Sequence, residues 1–165
     1  MQVKRKAAAI ADPAKECVLF EISCVSFNLR KASRIISRIY QKEMHDAPVK
    51  GPLFSLLATI SRRGSTSITA LANGIGLERT TLTRNLRHLE QRGYIQVRSV
   101  AANRKEVSVL PAGEEALRAA LALWRIAQDK VVQALGEERW NRMRADLSAA
   151  MALGARSTHS QAAPL

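Results

Sequence analysis

Acidic residues are scarce in this chain: 14 Asp and Glu stand against 26 Lys and Arg, giving a formal charge of +12 and a pI near 10.7. A positive field of that size attracts phosphate and gains further from counterion release, which indicates a polyanionic partner, either nucleic acid or an anionic membrane surface. Cysteine is nearly absent. Cys17 and Cys24 lie two helical turns apart, too far along one helix for a disulfide, so free thiols are expected. Aromatics supply only 4% of the residues, so Leu, Ile, Val and Ala must build the interior. No stretch approaches the roughly 20 apolar residues of a membrane span. The run Ala7–Ala11 is too short for a signal peptide, and Asp12, Pro13 and Lys15 interrupt its continuation. A cytoplasmic protein with no membrane segment is expected.

The signatures of catalysis are missing as well. His45, His88 and His159 are scattered, and neither they nor the cysteines have zinc-ligand spacing. Gly74-Ile75-Gly76 begins like a dinucleotide loop, but Arg79 occupies the third glycine position and no strand precedes it. No nucleophile elbow or phosphate-binding Lys motif occurs. An enzyme, a metal site and a cofactor are therefore not expected.

What is present is a hydrophobic share of 47% over 165 residues, enough for one folded unit with a real core. The charge has a location: between Arg62 and Lys105 the only acids are Glu78 and Glu90, whereas the signs are mixed beyond Glu106. Residues 1–16 lack periodicity and read as a flexible arm. From Cys17 to Met44, Ile22, Val25, Leu29, Ala32, Ile36 and Ile39 alternate spacings of three and four, predicting one long amphipathic helix that Pro48, Gly51 and Pro52 end. A second helix is predicted from Pro52 to Gly64, and a short third one through Ile68, Leu71 and Ala72 with Thr66 or Ser67 as its cap. Asn73-Gly74-Ile75-Gly76 suits a tight connection.

The next helix, about Glu78 to Arg92, carries the chemistry. Leu82, Leu86 and Leu89 form one side; at about 100° per residue Thr80, Arg84 and Arg87 fall nearly opposite, with Arg79 and Thr83 between. Arg can bond guanine O6 and N7 bidentately in the major groove, and Thr can bond base edges or phosphate. An Arg-rich face alone is more often a solvated surface. Its context is more specific. After Gly93 the period turns to alternation, Ile95 and Val97 and then Val107 and Val109, around a basic tip at Ser99–Arg104. A short helix, a glycine turn, a helix and a hairpin make the order of a helix-turn-helix with a wing. Two further helices come after Pro111, one bearing Leu117 to Leu135 and, after Gly136, one bearing Trp140 to Met151; residues 154–165 read as a flexible tail.

On Leu77–Gly93, Leu110-Pro111-Ala112-Gly113 and the Arg104-Lys105 tip, the chain resembles the multiple antibiotic resistance regulator (MarR) family of winged-helix repressors over residues 17–153. The resemblance implies a mainly α fold with a small β-hairpin wing (α+β), a winged helix-turn-helix at 52–111, and dimerisation helices at 17–46 and 112–153. It implies a ligand-responsive repressor that binds a pseudo-palindromic operator in double-stranded DNA as a homodimer. Arg79, Thr80, Thr81, Thr83, Arg84 and Arg87 inherit major-groove contacts, Thr81 being the weakest on the helical wheel; Lys105 joins them at the wing, and Arg104 matches the arginine that the family's wing puts into the minor groove. An acidic residue usual just before that arginine is Asn103 here. For a small aromatic or anionic effector the resemblance points to Phe27, Arg30, Ser33, Arg34 and Trp124. A thiol-sensing branch would place its reactive cysteine at Ser26, with Cys24 rotated by about 200°. A non-specific architectural DNA protein is the other open alternative.

Overall fold

In the computed structural model, which describes residues 12–101 and 104–159, the chain divides into two units, Met1–Ile39 and Tyr40–Leu165. Residues 1–11 of the arm expected over 1–16, and residues 160–165 of the tail expected over 154–165, lie outside the described residues; the rest is not loose chain, since residues 13–16 begin the first helix and 154–159 end the last.

Helix starts earlier in the first unit than the apolar stripe suggests. The Asp12 carboxylate accepts from the N–H groups of Ala14 and Lys15 (3.1 and 3.3 Å), and Pro13 pre-sets the first turn, so α1 spans Pro13–Ser23. The long helix expected over 17–44 is in fact two. Cys24 is extended (φ −69°, ψ 108°), and α2 runs over Val25–Glu43. The break is held by Asn28, whose side-chain amide donates to the carbonyls of Glu21, Ile22 and Cys24 at 3.1, 3.3 and 3.0 Å, while its backbone N–H also donates to the Cys24 carbonyl at 3.0 Å. Phe20 and Phe27 meet across it with ring centroids 5.2 Å apart. Cys17 is exposed, Cys24 is half-buried, and both are free thiols.

In the second unit, α3 (Gly51–Arg63) buries Phe54, Leu56, Leu57 and Ile60. A two-residue strand, β1 (Thr66–Ser67), comes next where only a cap is expected. Ser67 does both jobs: it pairs with Glu106, and its hydroxyl accepts from the Ala70 N–H (3.2 Å) to start α4 (Ile68–Ile75). Asn73 and Gly74 belong to α4 rather than to a connection; the left-handed residue is Gly76 (φ 68°), whose N–H closes the helix on the Ala72 carbonyl. Then come α5 (Arg79–Gln91), β2 (Ile95–Ala101), β3 (Arg104–Val109), α6 (Pro111–Leu135) and α7 (Glu137–His159). The antiparallel sheet has the order β1-β3-β2, with Val107 opposite both Thr66 and Val97.

The core joins these elements. Leu56, Leu57 and Ile60 of α3, Leu71 of α4, Leu82, Leu86 and Leu89 of α5, Ile95 and Val107 of the sheet, and Leu117 and Ala120 of α6 pack together, all nearly inaccessible to solvent. At about 1.5–3 kcal/mol for each fully buried aliphatic side chain, this cluster is the main stabilising force on the unit. The hairpin is tied to the start of α6 by Leu110 N–H to Tyr94 O (2.9 Å), and Gly113 sits against that same carbonyl: a Cβ on residue 113 would lie 2.1 Å from Tyr94 O and 2.8 Å from Val109 Cγ1. Gly113→Ala is expected to cost about 1–3 kcal/mol or more of stability by overpacking. Urea unfolding checks it; an unchanged midpoint would show that α6 can move away from the hairpin freely.

Candidate nucleic-acid interface

The roll of α5 about its axis decides which side chains face water. Leu82 and Leu89 are fully buried and Leu86 nearly so, while Arg79, Thr80, Thr83, Arg84 and Arg87 are exposed, as the helical wheel predicts. Thr81 is half-buried, in keeping with its marginal place on the wheel. The ends of the helix agree with the expectation to one residue, Glu78 and Arg92 being its caps. Two features escape a reading based on apolar and basic residues. Asn85 is buried beside the leucines, and Gln91 is exposed on the Arg84 side, a half-turn or so from the core stripe.

Among the described residues, none of the Arg79, Arg84 and Arg87 guanidinium groups has a carboxylate within ion-pair distance, so their charge and donors are free for another molecule. The Thr83 hydroxyl donates to the Arg79 carbonyl (2.8 Å), leaving its oxygen as an acceptor. Five planar-fork or hydroxyl side chains on one exposed helix face are donors and acceptors of the kind that base edges and phosphates match.

The wing differs. Lys105 is exposed and unpaired among the described residues, but Arg104 Nη2 lies 2.7 Å from Glu106 Oε1, and the other carboxylate oxygen of Glu106 accepts from the Ser65 hydroxyl at 3.0 Å. The hydroxyl of Ser65 and then the guanidinium of Arg104 hold the Glu106 carboxyl below its ordinary pKa, against a smaller opposing effect of desolvation. Asn103, where an acidic buttress is usual, lies outside the described residues; the acid that holds Arg104 is two residues after it. Period-two alternation puts residues 104 and 106 on the same face of β3, which is the signal that could have found Glu106.

The residues named for an effector are distributed over both units. Phe27, Arg30, Ser33 and Arg34 lie on α2; Arg30 and Arg34 are exposed one turn apart, and Lys31 Nζ stands 6.0 Å from the Phe27 ring centroid. Trp124, on α6, is half-buried against the core of its own unit. Among the described residues no group of His, Cys, Asp or Glu is placed to hold a metal ion.

Residues 51–107 match the model of the MarR family. A structure of the M. tuberculosis transcriptional regulator MosR in complex with DNA is 31% identical to this chain, covers 82% of it and 98% of its own length, and superposes with a TM-score of 0.73. A probable transcriptional regulator from Pseudomonas aeruginosa (21% identity, 77% and 96% covered, TM-score 0.70) and the repressor CouR bound to a 23-mer DNA duplex (20%, 78% and 94%, TM-score 0.71) share the fold. No curated protein matches.

Because the Glu106 pKa is depressed in the folded state, its bonds to Ser65 and Arg104 are at full strength above the pKa of an unfolded glutamate and are lost as pH falls through the lower folded value. Carboxyl-carbon NMR titration should find Glu106 below the ordinary value of an unfolded glutamate, and Ser65→Ala should move it upward. A Glu106 titration indifferent to Ser65→Ala would contradict the assigned cause.

Proposed function

The chain belongs to the MarR family, and from that premise we propose that it is a transcriptional regulator that binds a pseudo-palindromic operator in double-stranded DNA as a homodimer. The observation that carries this reading is the exposed Arg and Thr face of α5, whose guanidinium groups have no carboxylate partner among the described residues and which is held outward by three buried leucines. In the reading, α5 enters the major groove with Arg84 and Arg87 as the leading base contacts and Arg79, Thr80, Thr81 and Thr83 around them, while Arg104 enters the adjacent minor groove and Lys105 meets phosphate.

A second copy is called for on two grounds. Two recognition helices about one DNA turn apart, roughly 34 Å, read a longer site than one helix can. Within each unit large apolar side chains stand in water, among them Ile22 (76% exposed) and Val25 (71%) in the first and Met151 (70%) in the second. A small aromatic or anionic effector is proposed to alter DNA affinity, with Arg30 and Arg34 on α2 as its anion-binding pair; this is coupling between two sites. No described helix is long and apolar enough to cross a membrane, and a regulator of this kind works where the DNA is, in the cytoplasm.

Selection of duplexes from a random pool by the full chain, followed by titration at fixed salt, tests the reading. Selected DNA should bind more tightly than random DNA by about 10³ or more; a ratio near one would favour a non-specific architectural protein instead. Arg84→Ala should lower operator affinity by the equivalent of about 1–3 kcal/mol and relax preference at the bases it contacts. Lys105→Ala should weaken binding to all sequences and reduce the salt slope by about one. Equal losses on operator and random DNA for Arg84→Ala would remove it from the base-reading set.

A further inference from the structure

Of the exposed basic side chains proposed to meet DNA, Arg104 alone has a carboxylate partner among the described residues. The partner is not a passing surface acid. Glu106 belongs to the central strand, next to the fully buried Val107, with Ser67 its register partner on one side and Arg98 on the other. One oxygen is anchored by Ser65 at 3.0 Å and the other receives Arg104 at 2.7 Å. Glu106 is largely covered (23% exposed) while the guanidinium it holds is 66% exposed, so the anion is fixed and the cation is presented.

Resting on the DNA-binding reading above, we infer that Glu106 is a positioning residue that sets the specificity of the wing: anchored by Ser65, its carboxylate aims Arg104 and withholds its charge from all but a narrow minor groove. A carboxylate and a DNA groove compete for one guanidinium. Random duplex offers screened phosphates and an average groove, against which a fixed, charge-assisted bond holds its own. A·T-rich tracts narrow the minor groove and deepen its negative potential, which attracts inserted arginine. The carboxylate therefore sets a threshold that A·T-rich flanks pass and G·C-rich flanks do not. An interface built for non-specific affinity would leave Arg104 as free as Arg84 and Arg87; specificity by opposing the wrong partner explains the extra anion.

The test compares the full wild-type chain with Glu106→Gln, Ser65→Ala, Arg104→Ala and the Arg104→Ala/Glu106→Gln double variant. Each is titrated at fixed salt on the selected operator with A·T-rich flanks, the same operator with G·C-rich flanks, and random duplex. Glu106→Gln should bind random DNA more tightly, with a salt slope steeper by about 0.9, and should lose about tenfold of the discrimination between flanks. Ser65→Ala, which keeps the charge, should lose part of that discrimination with the slope unchanged. In the Arg104→Ala background Glu106→Gln should change flank discrimination no further; an equal loss there would mean a merely structural role and overturn the inference. Undiminished flank discrimination in Glu106→Gln would overturn it while the wild-type preference for operator over random DNA stands. A wild-type ratio near one would overturn the DNA-binding reading and this inference together. If Glu106→Gln does not fold, nitrogen NMR of the wild-type Arg104 guanidinium decides: hindered rotation is expected, and free rotation would sink the idea.

Discussion

Burial of Leu82, Leu86 and Leu89 against α3, α4 and the sheet is the contact on which the rest of this unit's geometry depends. A helix with one apolar stripe has one favourable roll angle. Turning α5 by a single residue's 100° would carry these leucines toward water at about 1.5–3 kcal/mol each and bring Thr83 and Arg79 inward without partners. The outward set of Arg79, Thr80, Thr83, Arg84 and Arg87 is therefore a consequence of the core. Its shape can be read only because its support is rigid: the connection after α5 is closed by Tyr94 N–H to Leu89 O (3.0 Å), and Leu110 N–H returns to Tyr94 O.

The sheet extends the same logic to the wing. β3 is its central strand, and Val107 is paired on both sides, so one buried side chain holds a register that places residues 104, 105 and 106. A one-residue slip would exchange Glu106 with Val107 and bury the acid. The strand thus fixes the wing's charge pattern as the leucines fix that of α5, and the two basic elements share one core.

Local pattern made much of this legible. The leucine spacing located α5 to within a residue at each end, and alternation after Gly93 located the hairpin. What stayed hidden depends on groups distant in sequence or on single side-chain bonds. The apolar stripe runs unbroken through Cys24, because the break there comes from Asn28 reaching back to three carbonyls, which periodicity does not encode. β1 has two residues, and only pairing with Val107 and Glu106, some forty positions on, makes them a strand. Asn73-Gly74 looks like a turn, yet a Ser67 cap and a Gly76 end let α4 continue through it. Expecting the acidic buttress before Arg104 misses Glu106, which the pleat brings to the same face from the other side.

Net charge and specificity make opposite demands on such a surface. With +12 on the chain, attraction to any duplex is plentiful, so added cations improve binding to the wrong sequences as well as the right one. Discrimination comes either from donors aimed at base edges or from charge that is released only to a suitable groove. The guanidinium groups of α5, without a carboxylate partner among the described residues, suit the first task, because base edges, not net charge, distinguish their contacts. Arg104 suits the second, since groove width acts through electrostatic potential, and a competing fixed carboxylate converts a graded potential into a choice. The single acid at the wing therefore adds to sequence preference by lowering general affinity, and the scarcity of acids in the stretch from Arg62 to Lys105 just before it is what makes its placement informative.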